Sequence, residues 1–338
     1  MSKHLIINQL LETLIAEYNY LTKDKPKKIR KLFNQLEQES KKIEYDYKVA
    51  LENSNMIRNR YSDILPHGKT RFSSKNLPYI NANIINNKYI LTQGPMAGFI
   101  DEFWTMIFDS GTNIIVCLAS QIENSWTKFD PYFDDNKEEM YGQFRVKVEK
   151  IIKFEKQNLI IRKLFVTPCG LIPDKKCVPF FSGVTKYKIH SKPINLSYSL
   201  EEHFDKPDID FNSGDTRIIN HIQYIGWPDH GLPANTSNFL KILGIIDKLS
   251  EPHLEQSITV HCSAGIGRSG TITVVKKVLD KVKLFLNGKI PSIDKINIFE
   301  QVLSLRRYRQ GLVQGEEQFE FCYLAIIAGI KLMLSERK

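Results

Sequence analysis

Residues 260–271 read VHCSAGIGRSGT, and two side chains in that run could do chemistry: the Cys262 thiol and the Arg268 guanidinium, with five residues between them. The preceding SITV (257–260) is β-branched and apolar and predicts a buried strand, while TITVVKKVLDKVKLFL predicts a helix over 271–286. The run between them therefore joins the carboxyl end of a strand to the amino end of a helix, where α/β proteins bind anions. Ser263, Ala264, Gly265 and Gly267 are small enough for successive N–H groups, those of Ile266 included, to turn inward as an anion-sized nest. Such a nest, with the helix dipole behind it, favours the thiolate of a cysteine placed in it. Arg268 carries a planar fork that matches two phosphoryl oxygens. Together these groups specify attack of sulfur on phosphorus, with charge stabilised on the equatorial oxygens. A cysteine buried only for packing needs no such neighbours. Joint metal ligation by His261 and Cys262 is disfavoured, because adjacent strand residues point to opposite faces.

The rest of the chain must position this run. Its 338 residues, 42% hydrophobic and 25% charged, suit an ordinary globular protein with ample core and exclude a disordered chain. The net charge of +9 is spread along the sequence. By itself it favours acidic or phosphorylated partners, or nucleic acid; on the reading given below, no nucleic-acid partner is expected. Five scattered cysteines make no disulfide framework and suit a reducing compartment. No apolar run reaches the ~18 residues of a membrane span, and YLAIIAGIKLML near the end reads as a buried helix. Leu5, Ile6, Leu10, Leu11, Leu14, Ile15 and Tyr18 recur at helical spacing, and a second helix runs through Ile29, Leu32, Phe33, Leu36 and Ile43 towards YKVALEN. From about residue 58 short β-like runs alternate with turns, and DEFWTMIFDSG reads as a helix between them. FRVKVEKIIKFE and NLIIRKLFVT read as paired strands, and TRIINHIQYIGW as another. Further helices are expected at 294–309 and 315–334. Strands mixed with helices predict an α/β fold around a central sheet.

At VHCSAGIGRSGT the chain resembles the protein tyrosine phosphatases, whose loop reads His-Cys-Ser-Ala-Gly-x-Gly-Arg-Ser/Thr-Gly-Thr; residues 261–271 match it throughout. The Cys-to-Arg spacing alone would also admit dual-specificity, lipid and low-molecular-weight phosphatases, and other segments narrow the resemblance to the phosphotyrosine-selective, receptor-like and cytosolic group. YIGWPDHGLP resembles the mobile acid loop, which makes Asp229 the general acid and Trp227 and Pro228 its hinge anchors. RNRYSDILPHGKTRF resembles the substrate-recognition loop: Tyr61 lines a pocket too deep for phosphoserine, and Asp63 holds the peptide backbone. GLVQGEEQFEFCYLAI resembles the glutamine loop, with Gln314 positioning the hydrolytic water and Gln318 helping it; Gly315 stands where the family has Thr. In QIENSWTKFDPYF, Glu123 aligns with the residue that braces the arginine and Lys128 with the one that contacts the acid loop. Phe129, Phe133 and Asp134 replace the family's Cys, Trp and Pro there. Ser269 matches the hydroxyl that helps the thiolate leave, and His261 is a supporting residue beside the nucleophile.

The resemblance implies one α/β domain with a central, highly twisted mixed β-sheet flanked by helices. It covers about residues 33–330, so 1–30 is expected as an N-terminal helical extension and 31–335 as the catalytic domain. The stretch 168–215, with five prolines and two cysteines, reads as an insertion between two strands. Cys169 and Cys177 have no partner His or Cys pair nearby that would suggest zinc. The resemblance further implies no metal or other cofactor, phosphotyrosine-containing proteins as partners, and a cytoplasmic setting. The rival readings are a silent phosphotyrosine-binding module, which in this family usually lacks the acid-loop Asp, the Cys or the Arg, and a dual-specificity or phosphoinositide phosphatase. This chain keeps all three residues. Tyr61 and its loop argue against dual specificity, and the run between Cys262 and Arg268 lacks the extra basic residues that inositol headgroups need.

Overall fold

A computed structural model describes residues 2–23, 27–169, 216–228, 231–233, 235–251 and 256–336. Asp229, Cys177 and the 170–215 part of the expected insertion lie outside the described residues.

The chain runs α1 (Lys3–Thr22), α2 (Lys27–Ser40), α3 (Asn53–Met56), β1 (Ala82–Ile85), β2 (Tyr89–Thr92), α4 (Ile100–Asp109), β3 (Ile114–Cys117), β4 (Ile122–Glu123), β5 (Trp126–Thr127), β6 (Glu139–Tyr141), β7 (Phe144–Phe154), β8 (Leu159–Pro168), β9 (Arg217–Tyr224), α5 (Thr236–Ser250), β10 (Ile258–His261), α6 (Gly267–Leu286), α7 (Ile298–Arg306) and α8 (Glu316–Ser335). Eight strands form one mixed sheet in the order β1-β2-β10-β3-β9-β8-β7-β6, and β4 pairs with β5 in a separate hairpin. β2, β10, β3 and β9 are parallel; the remaining pairs are antiparallel. The α/β reading of the sequence is thus met, and β10, which delivers Cys262, lies in the parallel middle of the sheet.

The inner parallel strands are covered on both faces: every residue of β2, β3 and β10 is buried, the polar Thr92, Thr259 and His261 included. β7, towards the sheet edge, instead alternates buried and exposed positions over its first four residues. The strand period sorts β3 between two cores. Ile114 and Val116 join a cluster with α5, α6 and α8, while Ile115 and Cys117 join one with α4 and its Phe103, Trp104 and Ile107. The same alternation on β10 sends Val260 to the first core and turns His261 against Phe103, Phe129 and Tyr132 of the second.

Three expectations move. The helix expected from 271 begins at Gly267, so Arg268 and Ser269 lie in its first turn; the glycines at 267 and 270 hide that turn from propensity reasoning. The second helix ends at Ser40 and does not continue towards YKVALEN, the chain closing with a Lys42 N–H bond to the Glu39 carbonyl. The helix expected over 294–309 is Ile298–Arg306, because the Asn297 side chain caps it by accepting from Glu300 N–H at 3.1 Å.

Among the described residues one helix, α8, is long and apolar enough by length and composition to cross a membrane. Most of it is buried against α6, α5 and the amino-terminal helices. α1 packs on α8 through Ile7, Leu11 and Leu14, and two hydrogen bonds lock the pair: Tyr18 Oη to Glu320 at 3.0 Å and Tyr323 Oη to Glu17 at 2.9 Å. Leu14→Ala should therefore cost about 2–5 kcal/mol of unfolding free energy by denaturant titration; a change within error would show that α1 is not part of the cooperative core.

Candidate active site

The loop after β10 is defined by where its carbonyls go. His261 O accepts from Leu118 N–H at 2.9 Å, Ser263 O from Gly94 N–H at 2.7 Å, and Ile266 O from Gly270 N–H at 2.9 Å and Val313 N–H at 3.1 Å. Arg309 spans the middle, giving Nη2 to Ala264 O at 3.0 Å and Nε to Gly265 O at 3.1 Å. His261 Nδ1 lies 3.2 Å from Cys262 O. Six successive carbonyls are thereby held by donors around the loop, which leaves the amides of the loop and of the first turn of α6 to line its concave side. Gly265 is required here: its φ is +72°, and a Cβ would stand 2.1 Å from Thr92 O.

Cys262 sits at the base of this loop, buried with 5% exposure. Arg268 is buried, and its plane is fixed by a bidentate pair to Glu123, Nη1 to Oε1 at 2.8 Å and Nη2 to Oε2 at 2.6 Å, with Nη1 also on Leu118 O at 2.9 Å. Glu123 is itself oriented by Ser120 N–H at 2.9 Å. The β4–β5 hairpin thus presents the Glu123 carboxylate to Arg268. Arg309 brings a second cation beneath the loop; burial pushes its guanidinium down to about 10, and the Cys262 sulfur opposes that shift.

Of the other expected site residues, Tyr61, Lys128, Gln314 and Gln318 meet the same loop. Tyr61 Oη lies 2.8 Å from Ser263 Oγ, and Ser263 Oγ also donates to Lys128 O at 3.2 Å. Arg60 secures this approach through Gly94 O, Pro95 O, Thr127 O and the Asp130 carboxylate. Asp63 is exposed and Lys128 buried. Gln314 and Gln318 reach the loop from the far side: a Cβ on Gly267 would meet Gln318 at 3.0 Å and Gln314 Oε1 at 3.2 Å, and Gln318 Oε1 accepts from Gln314 N–H at 3.0 Å. Val313 just before them holds φ +60°, a left-handed conformation that costs a β-branched residue on the order of 1–3 kcal/mol. Arg306 enforces it by donating to Leu312 O and Val313 O, both at 2.9 Å. Gly315 is the N-cap of α8 and, lacking the family's hydroxyl, makes no side-chain cap. Trp227 is buried on Phe239 and Phe321 and donates to Gly231 O at 2.9 Å; Pro228 beside it is exposed. Ser269 Oγ is buried without a hydrogen-bond partner among the described residues, so a bond to the sulfur is not formed in this state.

Arg309, Gly94, Arg60, Tyr132 and His221 were not singled out from sequence. The arginines of LRRYRQGLVQ look like a solvated helix end, and nothing local marks them as buried carbonyl ligands. Behind the loop, Cys117, His221 and His261 place potential ligand atoms within 4.8 Å of one another. The Tyr132 hydroxyl lies 2.7 Å from Nε2 of both imidazoles and fills the space between them.

A protein-tyrosine phosphatase family model matches residues 55–328. The chain is 35% identical over 286 residues to Tyrosine-protein phosphatase 2 of Dictyostelium discoideum, a match covering 83% of this chain and 63% of that protein. It is 30% identical over 304 residues to Tyrosine-protein phosphatase non-receptor type 2 of Homo sapiens, covering 88% of this chain and 61% of the relative. With non-receptor type 20 of Rattus norvegicus it shares 28% identity over 298 residues, 86% of this chain and 58% of the relative. The chain therefore spans less than two thirds of the length of these curated relatives.

The buried imidazoles give the site a pH signature. Burial pushes His261 down to about 4 and holds His221 well below the ordinary imidazole range. In the unfolded chain both take up a proton near pH 6.5. Between about pH 6.5 and 4 the unfolded state therefore binds more protons, and stability falls as pH is lowered, by about 1.4 kcal/mol per pH unit for each histidine. Denaturant unfolding from pH 7 to 5 should show this slope, and His221→Gln should make it shallower; an unchanged slope would contradict the assignment.

Proposed function

The chain belongs to the protein-tyrosine phosphatase family, and from that premise we propose that it hydrolyses phosphotyrosine in proteins through a phosphocysteine intermediate. The observation that carries the proposal is the outward-held loop with Cys262 at its base and the Glu123-braced Arg268 in the first turn of the helix behind it. Such a loop is complementary to a phosphoryl group in flight: its amides and the arginine meet the equatorial oxygens, and the sulfur stands at the apical position. In the first step the Cys262 thiolate forms a bond to phosphorus, and the bond from phosphorus to the phenolic oxygen breaks. Asp229 protonates that oxygen as it leaves. In the second step Asp229, now a base, takes a proton from a water held by Gln314 and Gln318. The water oxygen bonds to phosphorus, the sulfur leaves as thiolate, and inorganic phosphate is released. The buried Ser269 hydroxyl is the donor at hand for that departing sulfur.

Selectivity for phosphotyrosine rests on depth. With Cys262 buried and Tyr61 at the mouth, bonded to Ser263 of the loop, a phosphoryl group needs the length of a phenyl ring to reach the sulfur. Asp63, exposed on the same loop, would hold the substrate backbone. Lys128, Trp227 and Pro228 support the acid loop. The described cysteines Cys117, Cys169, Cys262 and Cys322 are free thiols, which fits a cytoplasmic setting in which the nucleophile stays reduced.

Purified protein should hydrolyse an aryl phosphate and a phosphotyrosine peptide, and leave a phosphothreonine peptide and a phosphoinositide largely untouched. Cys262→Ser should abolish turnover and retain phosphopeptide binding, and Asp229→Ala should lower kcat by about two to four decades. Binding of phosphotyrosine peptide with no turnover of any substrate would favour a silent binding module instead, and equal rates on phosphothreonine would favour dual specificity.

A further inference from the structure

The polar cluster behind the nucleophile has one self-consistent placement of its protons. The Cys262 carbonyl can only accept, so the His261 Nδ1 that faces it at 3.2 Å carries the proton. His261 is held neutral by burial, so its Nε2 is bare and accepts the Tyr132 hydroxyl proton at 2.7 Å. That hydroxyl has no second proton. Its 2.7 Å contact with His221 is therefore donated by His221 Nε2–H. His221 is then neutral with a bare Nδ1, the one side-chain nitrogen of this cluster with no hydrogen-bond partner. An orphaned acceptor at that place is tolerable where an orphaned N–H would not be. The Cys117 thiol, pushed up to about 12 by burial, keeps its proton and directs it to Ala119 O at 3.4 Å.

We propose that His221 is a positioning residue for the nucleophile loop: by donating to Tyr132 it forces the Tyr132 proton onto His261, and so fixes the His261 tautomer that holds the Cys262 carbonyl outward. The relay runs from β9 through the segment after β5 to β10, so that three separate parts of the chain converge on one peptide plane. Phe133 packs edge-on to His221 with ring centres 4.8 Å apart, and Arg162, bonded to Asp135 and Gln223, lies over the Phe133 ring. Arg162 and His261 are the charged or titratable neighbours that disfavour a proton on His221, Arg60 adds to the pressure on His261, and Cys117 flanks Tyr132. Without the His221 donor, the Tyr132 proton no longer has a fixed direction. The Cys262 carbonyl is then left to hold the His261 tautomer by itself, without the support of a directed Tyr132 proton.

The inference rests on the phosphatase reading only for its turnover readout; alkylation of Cys262 by iodoacetate, followed by mass mapping, reads the loop whether or not the protein turns over phosphotyrosine. His221→Leu should move the alkylation pH profile to higher pH and lower kcat by about three- to tenfold, the effect of one hydrogen bond, with KM little changed. His221→Gln, whose side-chain amide can donate to Tyr132 in the same way, should restore both. Tyr132→Phe keeps the ring and should reproduce the His221→Leu shift, and combining the two should add nothing further. A His221→Leu protein with the wild-type alkylation profile would overturn the proposal, and so would a His221→Gln protein as impaired as His221→Leu. If His221→Leu does not fold, Tyr132→Phe and His221→Gln decide alone: a wild-type profile for Tyr132→Phe overturns the relay.

Discussion

The candidate-site end of this fold depends on one constraint: six successive carbonyls, from His261 to Ile266, must face away from the space their amides enclose. No single neighbour could impose that. The donors come from β3's end (Leu118), the turn after β2 (Gly94), the helix α6 itself (Gly270), the loop before α8 (Val313) and two side chains, His261 and Arg309. Each is a backbone or side-chain donor in a buried setting that must find an acceptor, so loop geometry and hydrogen-bond satisfaction are the same requirement. The parallel order β2-β10-β3 follows from it, because only a central strand delivers its carboxyl end between two others.

Buried arginines carry the second layer. Arg268, Arg306 and Arg309 are all buried, and their polar hydrogens go to carbonyls and carboxylates in fixed directions. Arg268 is tied to Glu123, Arg306 holds the left-handed Val313 that sets up Gln314, and Arg309 holds the loop from below. The planar fork suits this work: one side chain reaches two or three acceptors at defined angles, which an ammonium would not do. Strain at Val313, and the cost of burying three cations, are offset by the apolar cores on the two faces of the sheet.

Much of this was legible in the sequence. The strand–loop–helix reading of residues 257–286 and the paired strands β7 and β8 follow from local pattern, while the approach of Tyr61, Glu123, Gln314 and Gln318 to the Cys262–Arg268 run was implied by the family resemblance of their own segments. What was not legible is what depends on the third dimension alone. Arg309 and Arg306 sit in a run that by charge looks solvent-facing. His221 lies in an apolar strand, where a lone histidine carries no local sign of its neighbours. The start of α6 was hidden because Gly267 and Gly270, needed for close approach, are poor helix formers. The second helix was read too long because the apolar spacing persists past Ser40, where the backbone leaves the helix.

The central claim is that Cys262 carries the phosphoryl group between substrate and water. It is tested most directly by rapid acid quench of the protein during turnover of a tyrosine-phosphorylated peptide, followed by peptide mass mapping. The account predicts a phosphoryl group on the peptide containing Cys262, forming before phosphate appears and decaying with it. Steady turnover with that peptide unmodified at every time point, or with the phosphoryl group on another residue, would contradict it.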